Sequence, residues 1–125
     1  MARDILNALD CHDVQLSILI TDDREIAELN RQYLGRRGPT NVIAFPMREG
    51  EFSDIAPEIL GDVVISIETT EREAREGEME LETRFSELLI HGILHLLGFD
   101  HESDEQQAHE MEEKSRELLV LIQKG

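Results

Sequence analysis

The sequence predicts an α+β fold, a small mixed β-sheet packed with about five helices. A layered α/β arrangement with a mixed sheet is the neighbouring alternative. Three observations carry this. Apolar residues recur with the period of a strand in some segments and of a helix in others. The two kinds of segment intermix without strict strand–helix alternation. One run, Leu60 to Ile67, is nearly apolar on both faces and should be a central strand covered on both sides.

The elements follow in order. Ile5, Leu6 and Leu9 sit at helical spacing, so residues 2–11 read as a short opening helix. Val14, Leu16, Ile18 and Ile20 alternate with Gln15, Ser17 and Leu19, which reads as a strand. Thr21 and Asp22 are good helix caps, with Glu25 three residues after Asp22. Ile26, Leu29 and Tyr33 mark one face of a helix that ends near Gly35. Gly35-Arg36-Arg37-Gly38-Pro39 is a loop, since two glycines and a proline break regular structure.

Asn41 to Phe45 is a short strand stopped by Pro46, and residues 47–59 are polar and irregular, with room for a short edge strand. Residues 68–76 read as a charged, solvated helix supported by the i,i+4 pairs Glu68–Arg72 and Glu71–Arg75 and ended by Gly77. Leu81 to Leu97 is a long helix, very apolar in its second half, and is expected at the centre of the fold. Ser103 and Gln106 form a capping box for a last helix whose buried stripe is Ala108, Met111, Leu118, Leu119 and Ile122.

A chain of 125 residues is expected to form one domain over 1–125. Its 40% hydrophobic content supplies a core and is too high for disorder. No stretch approaches the ~18 apolar residues of a membrane span, and Met1-Ala2-Arg3-Asp4 lacks the basic-then-apolar pattern of a secretory signal. Cys11 is the single cysteine, which fits a reducing cytoplasm.

The formal net charge of −16 at first argues against a nucleic-acid or anionic-membrane partner. The charge is uneven. Residues 1–50 carry 6 basic and 8 acidic groups, and residues 51–125 carry 6 and 20. Within 24–48 the sign reverses: Arg24, Arg31, Arg36, Arg37 and Arg48 face only Glu25 and Glu28. Arginine offers a planar fork suited to phosphate or carboxylate. Ordinary solvated surface charge is the alternative reading of the same residues.

The chemistry lies in His91-Gly92-Ile93-Leu94-His95-Leu96-Leu97-Gly98-Phe99-Asp100-His101. His91 and His95 project from one side of a helix, one turn apart. Their neighbours are Leu88, Leu89, Ile90, Ile93, Leu94, Leu96 and Leu97. Burying an unpaired imidazole there costs about 1–3 kcal/mol, which a metal ion relieves. Gly98 can adopt the left-handed conformation that reverses the chain and returns His101 to the pair. Three imidazoles at this spacing suit one Zn2+ ion with a fourth position open to water, whose pKa then falls near ~7. Nickel, copper and iron also accept nitrogen ligands. Asp100 adjoins His101 and is a candidate to orient it, or else a capping residue of the turn. His12 and His109 lack partners at ligand spacing and read as structural or solvent-facing.

The same ligand spacing occurs in metzincin proteases, which place a glutamate general base after the first histidine. Here that position is Gly92, which cannot move a proton; its benefit is close packing or room for substrate. The catalytic base is therefore left to metal-bound water.

HGILHLLGFDH resembles the signature of the YbeY endoribonucleases. Leu29-Asn30 with Tyr33, Pro39 to Pro46, and Leu60 to Ser66 match blocks of that family in order, so the resemblance covers about residues 14–120. It implies a zinc-dependent, single-strand-specific endoribonuclease of the bacterial cytoplasm. Such an enzyme acts in ribosomal RNA maturation, at the 3′ end of the small-subunit RNA, and in ribosome quality control. The implied partners are single-stranded RNA and the small ribosomal subunit or its proteins, with no membrane. The implied metal ligands are His91, His95 and His101. Two departures stand out. Members usually have a further strand before the first helix. They also carry a functional arginine directly after the aromatic that Tyr33 matches, where this sequence has Leu34; Arg36 and Arg37 are the nearest candidates to bind phosphate. The attacking group is left open between water and the ribose 2′-hydroxyl. Two rival functions share these features: a metallopeptidase-like hydrolase, and a non-catalytic ribosome-assembly factor with a structural metal.

Overall fold

The computed structural model describes residues 2–8, 15–46, 59–97 and 105–124. Among them the chain forms α1 (Ala2–Ala8), β1 (Gln15–Thr21), α2 (Asp23–Leu34), β2 (Val42–Pro46), β3 (Ile59–Ser66), α3 (Ile67–Glu76), α4 (Leu81–Leu96) and α5 (Glu105–Lys124). The expected α+β class is what forms. The sheet is mixed, in the order β1-β3-β2, with β1 parallel and β2 antiparallel to β3. The run predicted to be central is the central strand.

Its two faces are covered differently. Val63 and Ile65 join Val42 and Ala44 of β2 under the main core of α1, α4 and α5, where Ile5, Leu89, Ile90, Ile93, Leu94, Met111 and Leu118 are buried. Val64 faces the other way with Ile43 and Phe45, and α2 closes that side with Ile26 and Leu29. Strict alternation would send Leu60 to the α2 side, yet it lies in the main core. The reason is a bulge: Gln15 pairs with Ile59 but Leu16 with Gly61, so one extra β3 residue is spent there. Gly61 has φ +149°, and a β-carbon on it would stand 2.3 Å from the Phe45 carbonyl oxygen. Only glycine fits.

α2 begins where the sequence indicates. The Asp22 carboxylate accepts from the Glu25 N–H at 2.8 Å, although Glu25 turns its own carboxylate to the Thr21 hydroxyl at 2.6 Å instead of closing a capping box. Gly35 ends the helix in the left-handed conformation, φ 65°.

Three local expectations need correction. β2 does end at Pro46, but Pro46 is itself the last paired residue, opposite Gly61, which is allowed because β2 lies at the edge of the sheet among the described residues. α3 is more than a solvated rod: Thr69, Thr70 and Ala74 are buried, and Ser66 caps it. Neither expected i,i+4 pair appears among the described residues. Arg72 reaches Asp23, and Glu68 accepts from the Asp23 N–H at 2.8 Å. A partner on a packed neighbouring element outcompetes a solvent-exposed one on the same helix. Gly77 does close α3, but the left-handed residue is Glu78, φ 53°.

Candidate active site

α4 is the hub of the fold, packed against β2, β3, α3 and α5. Its first turns are pinned by charge. Arg84 donates from Nε to Glu73 of α3 at 3.0 Å and from a terminal nitrogen to Glu87 at 2.9 Å, and the Asn41 amide before β2 also donates to Glu73 at 3.3 Å. Its middle is pinned by packing. A β-carbon on Gly92 would lie 2.7 Å from Val63 Cγ1 and 3.4 Å from Val42 Cγ2, so helix and sheet approach as closely as glycine allows. Its last turn rests on the end of the β2–β3 ladder, where Leu96 lies over Gly61 and Gly61 pairs with Pro46.

This frame fixes the histidines. At 3.6 residues per turn His91 and His95 differ by about 40° around the helix axis. Their rings meet edge to face, with centroids 4.5 Å apart and an interplanar angle of 64°. Both are half-buried. Two imidazoles converging at this separation fit two ligands of one ion, and their nitrogen chemistry suits zinc. His101, Gly98 and Asp100 lie outside the described residues. Among the described residues no group of three or more His, Cys, Asp or Glu side chains converges. His109 is exposed and pairs with Glu113 at 3.0 Å, as expected of a solvent-facing residue; His12 and Cys11 lie outside the described residues.

The arginines divide. Arg31 is paired with Glu28, and Arg48 lies outside the described residues. Arg36 and Arg37 are exposed on the loop after α2 and make no ion pair among the described residues. Asn30 explains how that loop is held. It is buried, its amide donates to the Gly38 carbonyl at 3.0 Å, and its own carbonyl accepts from the Arg36 N–H at 3.2 Å. In sequence Asn30 is one polar residue on an amphipathic helix. The signal available in the sequence is its place in the Leu29-Asn30 block, in the last turns before a Gly-rich loop.

At the opposite end of β3, Asp23 gathers three donors. Its Oδ1 accepts from the Ser66 hydroxyl at 2.6 Å and from the Thr69 hydroxyl, and its Oδ2 from Arg72 at 3.3 Å. The Ser66 and Thr69 hydrogen bonds, with help from Arg72, hold this carboxyl below the usual aspartate range. The cluster ties α2 to α3 across the sheet end and serves position, since the histidines lie towards the other end.

These features describe a small α+β protein with a histidine pair on a central, sheet-backed helix. The family model for Endoribonuclease YbeY matches residues 1–123. The Endoribonuclease YbeY of Syntrophotalea carbinolica is 50% identical over 123 residues, covering 98% of this chain and 82% of the relative. That of Geobacter sulfurreducens is 48% identical over 126 residues, covering 100% and 84%. That of Aquifex aeolicus is 51% identical over 120 residues, covering 96% and 78%. The solution structure of a Thermotoga maritima protein superposes with a TM-score of 0.66 at 33% identity, covering 94% of this chain and 73% of that one. The chain belongs to the YbeY family of endoribonucleases. Among the described residues no helix is long and apolar enough to cross a membrane.

Proposed function

We propose that residues 1–125 form one domain that cleaves single-stranded RNA with the help of one zinc ion held by His91, His95 and His101. We infer that its substrate is ribosomal RNA, matured at the 3′ end of the small-subunit molecule and monitored in ribosome quality control in the bacterial cytoplasm. The observation that supports the metal is the edge-to-face convergence of His91 and His95 on a helix locked to the sheet. When bound, the ion supplies Lewis acidity and lowers the pKa of water. The protein's own part is orientation. Gly92 holds α4 against Val63, which sets both imidazoles, and Asp100 is proposed to orient His101. Arg36 and Arg37, on a loop anchored by Asn30, neutralise substrate phosphate in place of the arginine absent at Leu34.

The packing at Gly92 speaks against a peptidase, because a glutamate side chain there would collide with Val63. Leu34, exposed and uncharged where the family carries a guanidinium, is the observation that favours a non-catalytic ribosome-assembly factor instead. Cleavage of a single-stranded RNA by purified protein, with and without chelator and beside His95→Ala, tests the reading. Chelator-sensitive cleavage that His95→Ala loses while staying folded supports it; equal cleavage by His95→Ala overturns the metal assignment.

A further inference from the structure

We propose that Tyr33, backed by Phe45, is a base-stacking platform for the single-stranded RNA; the proposal rests on the endoribonuclease reading. Tyr33, the chain's single tyrosine, lies in the last turn of α2 and is 61% exposed. The ring is nevertheless held. It meets Phe45 edge to face, centroids 5.6 Å apart at 76°, and Phe45 packs on the core of Ile26, Ile43 and Val64. An aromatic ring held at its edge and open to solvent is the arrangement that stacks a nucleobase at low entropic cost.

Its place in the fold connects it to the histidines. Phe45 and Pro46 are the last residues of β2, pairing with Asp62 and Gly61. The last turn of α4, which carries His95, covers this same strand end from the opposite face, with Leu96 over Gly61. Among the described residues β2 lies at the edge of the sheet, and the proposed path of the RNA strand runs over that edge from Tyr33 to the histidine side. Arg36 and Arg37 follow within one short loop. The net charge of −16 gives the chemistry a reason: a chain that repels phosphate overall draws affinity from stacking, which does not depend on charge.

Because the chain has one tyrosine and no tryptophan, intrinsic emission reports Tyr33 alone. The experiment titrates the protein with a labelled single-stranded 2′-O-methyl oligonucleotide, following Tyr33 emission and oligonucleotide anisotropy together. Quenching with the midpoint of the anisotropy change is expected. Tyr33→Ala should bind about 5- to 100-fold more weakly, and Tyr33→Phe should bind like wild type. With cleavable RNA, Tyr33→Ala should raise KM and leave kcat nearly unchanged. Unchanged emission at saturation, or undiminished binding by a folded Tyr33→Ala, overturns the proposal. The quench needs no variant, so it decides even if Tyr33→Ala folds poorly. Cleavage by a wild type whose emission does not respond overturns this proposal alone; a wild type that neither binds nor cleaves RNA overturns it together with the endoribonuclease reading.

Discussion

Gly92 of the central helix stands so near Val63 of the central strand that a β-carbon would fall 2.7 Å from the valine Cγ1. The histidines of the candidate site inherit their position from this contact. A valine is stiff at χ1 and cannot swing aside. Gly92→Ala should therefore overpack the core at a cost of about 1–3 kcal/mol, against a gain in helix propensity of ~1 kcal/mol. The expected result in urea denaturation is a net loss of stability. A stabilised Gly92→Ala would show that α4 sits further from the sheet. Gly92→Glu should lose more stability and acquire no peptidase activity.

Gly61 meets a harder obstacle, the Phe45 backbone carbonyl at 2.3 Å from any β-carbon, in a conformation, φ +149°, that other residues rarely adopt. Gly61→Ala should separate β2 from β3 and lower stability by about 3 kcal/mol or more. Its signature is loss of amide-exchange protection in residues 42–45 before the rest of the sheet. Retained protection there would show that the bulge tolerates a side chain.

Asp23 links stability to acid. Its folded pKa lies below the ordinary aspartate value because Ser66, Thr69 and Arg72 donate to it. The carboxylate's contribution is fully present above the unfolded pKa of about 3.9 and is lost as pH falls through the lower folded value. Wild type should lose stability below about pH 4 more steeply than Asp23→Asn. Parallel acid limbs for the two proteins would remove Asp23 from the linkage.

Removing the metal by chelation, or one imidazole by His95→Ala, should lower RNA cleavage by at least about 100-fold, since a Lewis acid contributes several kcal/mol to charge stabilisation. His91→Ala should do the same. Both histidines are half-buried, so circular dichroism should remain that of the folded protein. Global unfolding on chelation would instead make the metal structural.

Arg36→Ala and Arg37→Ala test the loop. Each phosphate contact to a single strand contributes a log–log salt slope of about −0.7. Loss of a real contact should flatten the slope by about that amount and raise KM most at low salt. An unchanged slope for both variants would return them to ordinary surface charge. Asn30→Ala, which frees the loop from its anchor at Gly38, should raise KM in the same direction without altering any charge.

The sequence alone determined the element order, the central strand, the caps at Asp22 and Gly35 and the histidine-bearing helix. All of these are written locally, in periodicity and in residues whose backbone preferences act over one turn. The family followed from motifs of the same short range, together with the absence of a glutamate at position 92. Tertiary structure decided what depends on residues distant in the chain. The bulge that returns Leu60 to the main core needs β1 beside β3 to exist at all. Arg72 abandons Glu68 for Asp23, 49 residues away, because packing brings a better-held carboxylate within reach. β1 is legible as a strand, yet Ile18 and Ile20 are 38% and 54% exposed, since alternation reveals a face and cannot say whether that face lies at the edge of a sheet. Gly92 shows the division most clearly: its identity argued against one chemistry, and only its distance to Val63 shows what a side chain there would meet.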